Sequence, residues 1–134
     1  MKKYSWQIGL AAAVVILAML ACSFSASTAN IQNARMARDE AGNDPTTVFA
    51  PTDVFHCVGE LKNAPDDTKI KAAWIAVQVE GVEPDFLIGE KELTSGSSTF
   101  HFQLSNDNPW PAGKYKVELY LNGELDTTLE FEVR

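Results

Sequence analysis

Positive charge is scarce in this chain. Its 134 residues carry 11 Lys and Arg against 18 Asp and Glu, for a formal charge of −7. A protein that grips nucleic acid sets clustered Lys and Arg against the phosphates, and an acidic excess of this size excludes that class of partner. It also excludes charge-driven adhesion to anionic lipid. Histidine is scarcer still. His56 and His101 are the only two, and neither has another His or Cys at ligand spacing. Zinc sites draw on three or four ligands, so the expectation is two surface histidines and no metal site. No Ser stands in a Gly-x-Ser-x-Gly turn, and no glycine-rich loop opens a helix. Glycoside hydrolysis needs two carboxylates across a cleft, which a domain this small rarely has. The acids at 39–44 lack the EF-hand spacing and read as a solvated turn. The chain is therefore expected to have no catalytic residue and no cofactor.

What is present begins with Met1-Lys2-Lys3 and an uncharged, mostly apolar run over 8–21. A basic start followed by a short apolar segment is the pattern of a helical export signal. A transmembrane helix wants about 20 apolar residues, and only by stretching the run to 6–24 does it reach that length. The run closes on Leu17-Ala18-Met19-Leu20-Ala21-Cys22. This resembles the lipobox of bacterial lipoproteins, in which the Cys is thioether-linked to diacylglycerol and the signal is cut before it. Ala21 fits that pattern, and Leu20 departs from its usual small residue. The resemblance implies a signal peptide over 1–21, lipidation at Cys22 and a tether over 22–30, ahead of a domain over 31–134. Two acyl chains on one residue satisfy the two-signal requirement for stable membrane anchoring. An ordinary cleaved signal and an uncleaved anchor are the alternatives. Loss of Lys2 and Lys3 with the leader would leave the remainder more acidic still.

After the leader, about 110 residues are enough for one core. Tyr115, Val117, Leu119 and Leu121 alternate with Lys116, Glu118 and Tyr120, and Leu129, Phe131 and Val133 alternate with Glu130 and Glu132. Period two predicts two half-buried strands. Asn122-Gly123 between them tolerates the positive φ of a tight hairpin turn. Upstream, a weak edge strand is expected over 28–37 and a short extended piece over 46–50. Main strands follow over 53–61 and 68–80, then a less regular one over 87–94 and a regular one around Phe100, Phe102 and Leu104. Turn clusters fall between them about every ten residues, which is the pattern of an antiparallel all-β sandwich of seven or eight strands.

Cys57 on the second main strand, Trp74 on the third, and Gly113-Lys114-Tyr115-Lys116-Val117 near the end resemble the immunoglobulin-like sandwich. Val117 stands where that fold's second Cys would be. The resemblance implies an immunoglobulin-like domain without its disulfide, with Tyr115 as the corner tyrosine bonded back to loop backbone. The segment from Trp110 to Gly123, with Ala73-Trp74 and Phe49-Ala50-Pro51, also resembles a group of small bacterial lipoproteins that share this layout, and that likeness implies fold and address but no activity. One core is expected to hold Phe55, Cys57, Trp74, Phe102, Tyr115, Val117, Leu119, Leu129 and Phe131. With Cys22 lipidated, Cys57 is an unpaired buried thiol, and no disulfide is expected.

Two functions fit this outline. The first is a membrane-anchored extracytoplasmic module that binds a protein or a glycan without catalysis. The second is a spacer or structural subunit of a cell-envelope complex with no ligand of its own. The third strand favours the first. Ala73, Ile75, Val77 and Val79 fall opposite Trp74, on a face that should meet solvent. In the immunoglobulin-like arrangement that face continues through Lys116, Glu118 and Tyr120, then Thr128, Glu130 and Glu132. Ile75, Val77 and Tyr120 are the expected anchors of a partner, unless the early chain folds over them.

Overall fold

In a computed structural model of the chain, residues 28–134 are described. The expected signal over 1–21 and the lipidation site Cys22 lie outside them. The order of elements is β1 (Asn30–Ala37), β2 (Val48–Phe49), β3 (Phe55–Lys62), β4 (Thr68–Val79), β5 (Phe86–Ser95), β6 (Ser98–Leu104), β7 (Gly113–Leu121) and β8 (Glu124–Val133). They form a three-stranded sheet in the order β1-β3-β6 and a five-stranded sheet in the order β2-β8-β7-β4-β5. All pairings are antiparallel except the short parallel contact of β2 with β8. The fold is the expected immunoglobulin-like sandwich, with β3 as strand B, β4 as strand C, and β7 and β8 as strands F and G.

The two sheets close on an aromatic centre. The Phe55 ring lies 4.5 Å from Trp110, 4.8 Å from Phe131, 5.1 Å from Phe49, 5.6 Å from Tyr115 and 6.4 Å from Trp74, measured between centroids. Edge and offset arrangements of this kind add to the area they bury. Around them pack Cys57, Phe102, Val117 and Leu119, as expected, while Leu129 is only partly buried against the cluster. Trp110, between Pro109 and Pro111, is a loop residue with no strand period to mark it. It is nevertheless buried, because its amide donates to the Pro51 carbonyl at 2.7 Å and its indole Nε1 to the Asp53 carbonyl at 3.0 Å. The Tyr115 hydroxyl donates to the Pro111 carbonyl at 2.5 Å, four residues upstream, and completes the tyrosine corner.

The closing turn has Asn122 at φ 49° and Gly123 at φ 86°, which a two-residue hairpin of the primed type requires. The turn is also fastened to the third main strand. Its Asn122 amide donates to the Lys69 carbonyl at 2.8 Å, and the Lys69 amide donates to Asn122 Oδ1 at 2.9 Å.

The strand register shifts at several points, and two of these bulges account for departures from the expected alternation. In β1 the register against β3 shifts between Gln32 and Arg35, with Asn33 at φ 54°, which explains why this edge strand has no clean alternation. A bulged edge is also a poor template for unwanted pairing. In β4 the register against β7 shifts between Ala76 and Gln78. Val77 is the extra residue, and beyond it Val79 turns inward into the core. The expected outward stripe therefore ends at Val77, because one inserted residue swaps the faces of everything that follows.

Candidate interaction surface

The outer face of the five-stranded sheet is built in cross-strand rows. Glu130, Lys116, Ile75 and Leu87 make one row. Thr128, Glu118, Ala73 and Glu90 make the next, and Leu125, Tyr120, Lys71 and Glu92 the third. Much of its charge is paired on the spot. Lys116 Nζ meets Glu118 at 3.6 Å, and Lys71 Nζ meets Glu90 at 3.8 Å. The Tyr120 hydroxyl donates to Glu118 Oε1 at 3.2 Å, and Lys71 Nζ stands 4.7 Å from the centroid of its ring. The neighbouring Glu118 holds a proton on the Tyr120 phenol, whose pKa is raised by desolvation first and by that hydrogen bond second.

The three expected anchors share this face but not one patch. Tyr120 lies opposite Lys71, four residues along β4 from Ile75, or about 13 Å at the rise of a strand. Between them run Ala73 and the two ion pairs. Ile75 has a different companion, Leu87, directly across on the edge strand β5 and 49 % exposed. Sequence reasoning missed Leu87 because a register shift between Trp74 and Ile75 turns it outward, and a shift of this kind leaves no periodic mark. Val77, displaced by its bulge, lines an open depression of about 530 Å³ with Thr47, Lys114, Glu130 and Glu132. Among the described residues, the early chain does not cover the Ile75 row. β1 is in the other sheet, and the Thr28 hydroxyl bonds to the Asn63 carbonyl beyond the end of β3. The apolar centre of the face is thus Ile75 and Leu87, with Val77 beside it.

Elsewhere one titratable group falls differently from expectation. His56 was expected on the surface, yet it is buried at 7 % exposure. Its ring stacks on His101 with centroids 5.1 Å apart, and His56 Nδ1 is 2.8 Å from His101 Nε2. The pairing comes from register: Val58 lies opposite His101, so the two imidazoles meet diagonally across β3 and β6. Burial holds His56 below its ordinary pKa, and His101 pushes the same way, while Glu40 and Asp39 oppose. The turn at 39–44 is closed by its own backbone, since the amides of Asn43 and Asp44 donate to the Asp39 carboxylate at 3.0 and 2.9 Å. Those bonds keep Asp39 below the usual carboxylate range. Cys57 is buried and unpaired, and burial pushes its thiol up to about 12.

No protein-family model matches the sequence, and no curated protein matches it. Solved structures do match in shape. An immunoglobulin-like protein from Pseudomonas aeruginosa aligns over 78 % of this chain and 97 % of its own, at 14 % identity and a TM-score of 0.53. A Pseudomonas fluorescens alkylpurine DNA glycosylase aligns over 84 % of this chain but 32 % of its own, at 16 % identity and a TM-score of 0.55. A Listeria innocua beta-glucosidase aligns over 81 % of this chain and 16 % of its own, at 15 % identity and a TM-score of 0.55. The chain thus spans about a third of the glycosylase and a sixth of the glucosidase. At these identities the likeness is one of fold, and it carries no activity across.

Proposed function

We propose that this chain is a lipid-anchored extracytoplasmic protein whose sandwich acts as a non-catalytic interaction module for a protein or glycan. The observation that carries the reading is the Ile75 and Leu87 pair on an outward sheet face, rimmed by Lys116, Glu118, Glu90 and Glu130. An aliphatic centre with a charged rim of both signs is the composition of a modest interface. The anchored address rests on the lipobox-like segment ending in Cys22 and on the Ser- and Thr-bearing stretch that follows it. The acidic balance suits a domain displayed in solvent beside a membrane.

The alternative role, a spacer or structural subunit, draws support from the paired charges around Tyr120, which leave that half of the face with its polar groups already satisfied. Affinity purification from detergent-solubilised membranes separates the two. A released glycan or an exchangeable protein supports the module, whereas one partner at constant stoichiometry supports the subunit. Recovery of every partner by an Ile75→Lys, Leu87→Glu protein that remains folded would remove this face from consideration.

A further inference from the structure

We propose that the His56–His101 contact is an acid-released latch on the outer side of the three-stranded sheet: it pins the edge strand β6 to β3 until both imidazoles are protonated, and then frees His101 to turn toward Glu40. The two facing nitrogens, His56 Nδ1 and His101 Nε2, are 2.8 Å apart. A contact of that length contains one hydrogen, which one nitrogen donates and the other accepts. The neutral pair meets this condition, and so does the pair with one extra proton. That proton charges a bond already made, and charge-assisted bonds are the stronger kind. A second extra proton puts a hydrogen on both facing nitrogens. The bond is then lost, and two like charges face each other across 2.8 Å. The pair therefore titrates in two steps, and only the second breaks the contact.

The fold makes the two partners unequal. His56 is buried, whereas His101 is half-buried and lines an open depression of about 380 Å³ with Glu40, Lys91 and Gln103. Only His101 has somewhere to go. From the turn at 39–44, Glu40 and Asp39 favour a proton on His56, while His101 opposes it. From β5, Lys91 at the rim of the depression repels an imidazolium. On β1, Arg35 lies across from Val58, but its guanidinium donates to the carbonyls of Asn33 and Gly42, and Arg38 is paired with Asp44 and Asp53. On β3 itself, Glu60 accepts from Asn33 and meets Lys62. Gln103 of β6, directly across from His56, is neutral. The closed contact keeps His56 below its ordinary 6.5, so the chain with the contact open binds more protons. The latch is thus closed above about pH 6.5 and weakens as the pH falls below that value. One additional proton on the open form favours opening by up to about tenfold per pH unit. The latch and the Ile75–Leu87 face belong to different sheets, so it does not rest on the interaction reading.

The test is a nuclear magnetic resonance titration of the purified full chain from about pH 8 to about pH 4, following the imidazole nitrogens, the ring-to-ring contact and the backbone amides. The expected result is two imidazole steps. At the second, the ring-to-ring contact disappears and the amides of β6 and of the turn at 39–44 shift, while those of β7 and β8 stay in place. His101→Gln can still bond to His56 through its amide but takes up no proton. It should show a single histidine step and no accompanying movement of β6. Glu40 and Lys91 are both exposed, so their variants test the latch even where His101→Gln fails to fold. Glu40→Gln should move the second step to lower pH, and Lys91→Met should move it to higher pH. A pair that keeps its contact down to about pH 4 overturns the proposal. So does the same β6 movement in His101→Gln, or a second step that neither exposed variant displaces.

Discussion

Removing one oxygen from Tyr115 isolates a single bond of the fold. Tyr115→Phe keeps the ring against Phe131 and Trp110 and deletes only the donor to Pro111. A net hydrogen bond contributes about 1 kcal/mol, and a carbonyl left without a partner adds a penalty of about 1–3 kcal/mol. We expect a loss of about 1–3 kcal/mol in urea unfolding, with no change in the slope of the transition. Cys57 makes the complementary case. Its thiol, pushed up to about 12 from a reference of 9.0, should resist alkylation at pH 8 until the chain is unfolded. The raised value also fixes a direction with pH. The folded state holds the proton longer than the unfolded one, so this contribution is present below about pH 9 and is lost as pH rises from there toward 12. Urea melts at pH 8 and pH 10.5 should show the decline, and Cys57→Ala should flatten it. Both residues were legible in the sequence, Tyr115 from its place in a Gly-Lys-Tyr-Lys-Val segment and Cys57 from its place on an apolar strand face. Trp110 and the His56–His101 contact were not, since each depends on a partner distant in sequence.

The elements divide in the same way. β7 and β8 announce themselves because a strand with one buried face writes its structure as alternation. The same rule misplaced Val79, because a bulge at Val77 inserts a step that alternation cannot record. Leu87 stayed hidden for the same reason on the other edge of β4. Of the candidate face, then, Ile75 and Val77 were legible while their nearest apolar neighbour was not. At the hairpin, Asn122→Ala would put Ala at φ 49° and delete the bond to Lys69. Alanine tolerates that conformation poorly, and we expect about 1–2 kcal/mol of destabilisation. Gly113 is a second sensitive point, because a Cβ there would come within 2.5 Å of the Gln78 carbonyl oxygen, at the β4 bulge itself. Ile75→Lys, by contrast, changes a side chain on the outer face, and its melting temperature should stay close to that of the parent. A large drop would mean that Ile75 is internal packing.

At the scale of the whole molecule, stability rests on one aromatic core without a disulfide among the described residues. Trp74 lies across that core at 2 % exposure. Trp74→Ala removes its transfer energy and leaves a cavity, at a cost of about 3–5 kcal/mol. A domain of this size has about 5–15 kcal/mol in total, so the variant should be largely destabilised or unfolded at 37 °C. Circular dichroism against temperature reads this directly.

Whether the sandwich is displayed from a membrane depends on the chemistry of one residue, Cys22. The most direct measurement is the intact mass of the protein extracted from the membrane fraction of cells that make it, followed by analysis of its N-terminal peptide. The expected species begins at Cys22, carries a thioether-linked diacylglycerol, and lacks residues 1–21. Cys22→Ser should abolish it, while Cys57→Ser should leave it intact. A membrane protein of full precursor mass, or a water-soluble chain cut elsewhere and bearing no lipid, would contradict the lipid-anchored reading.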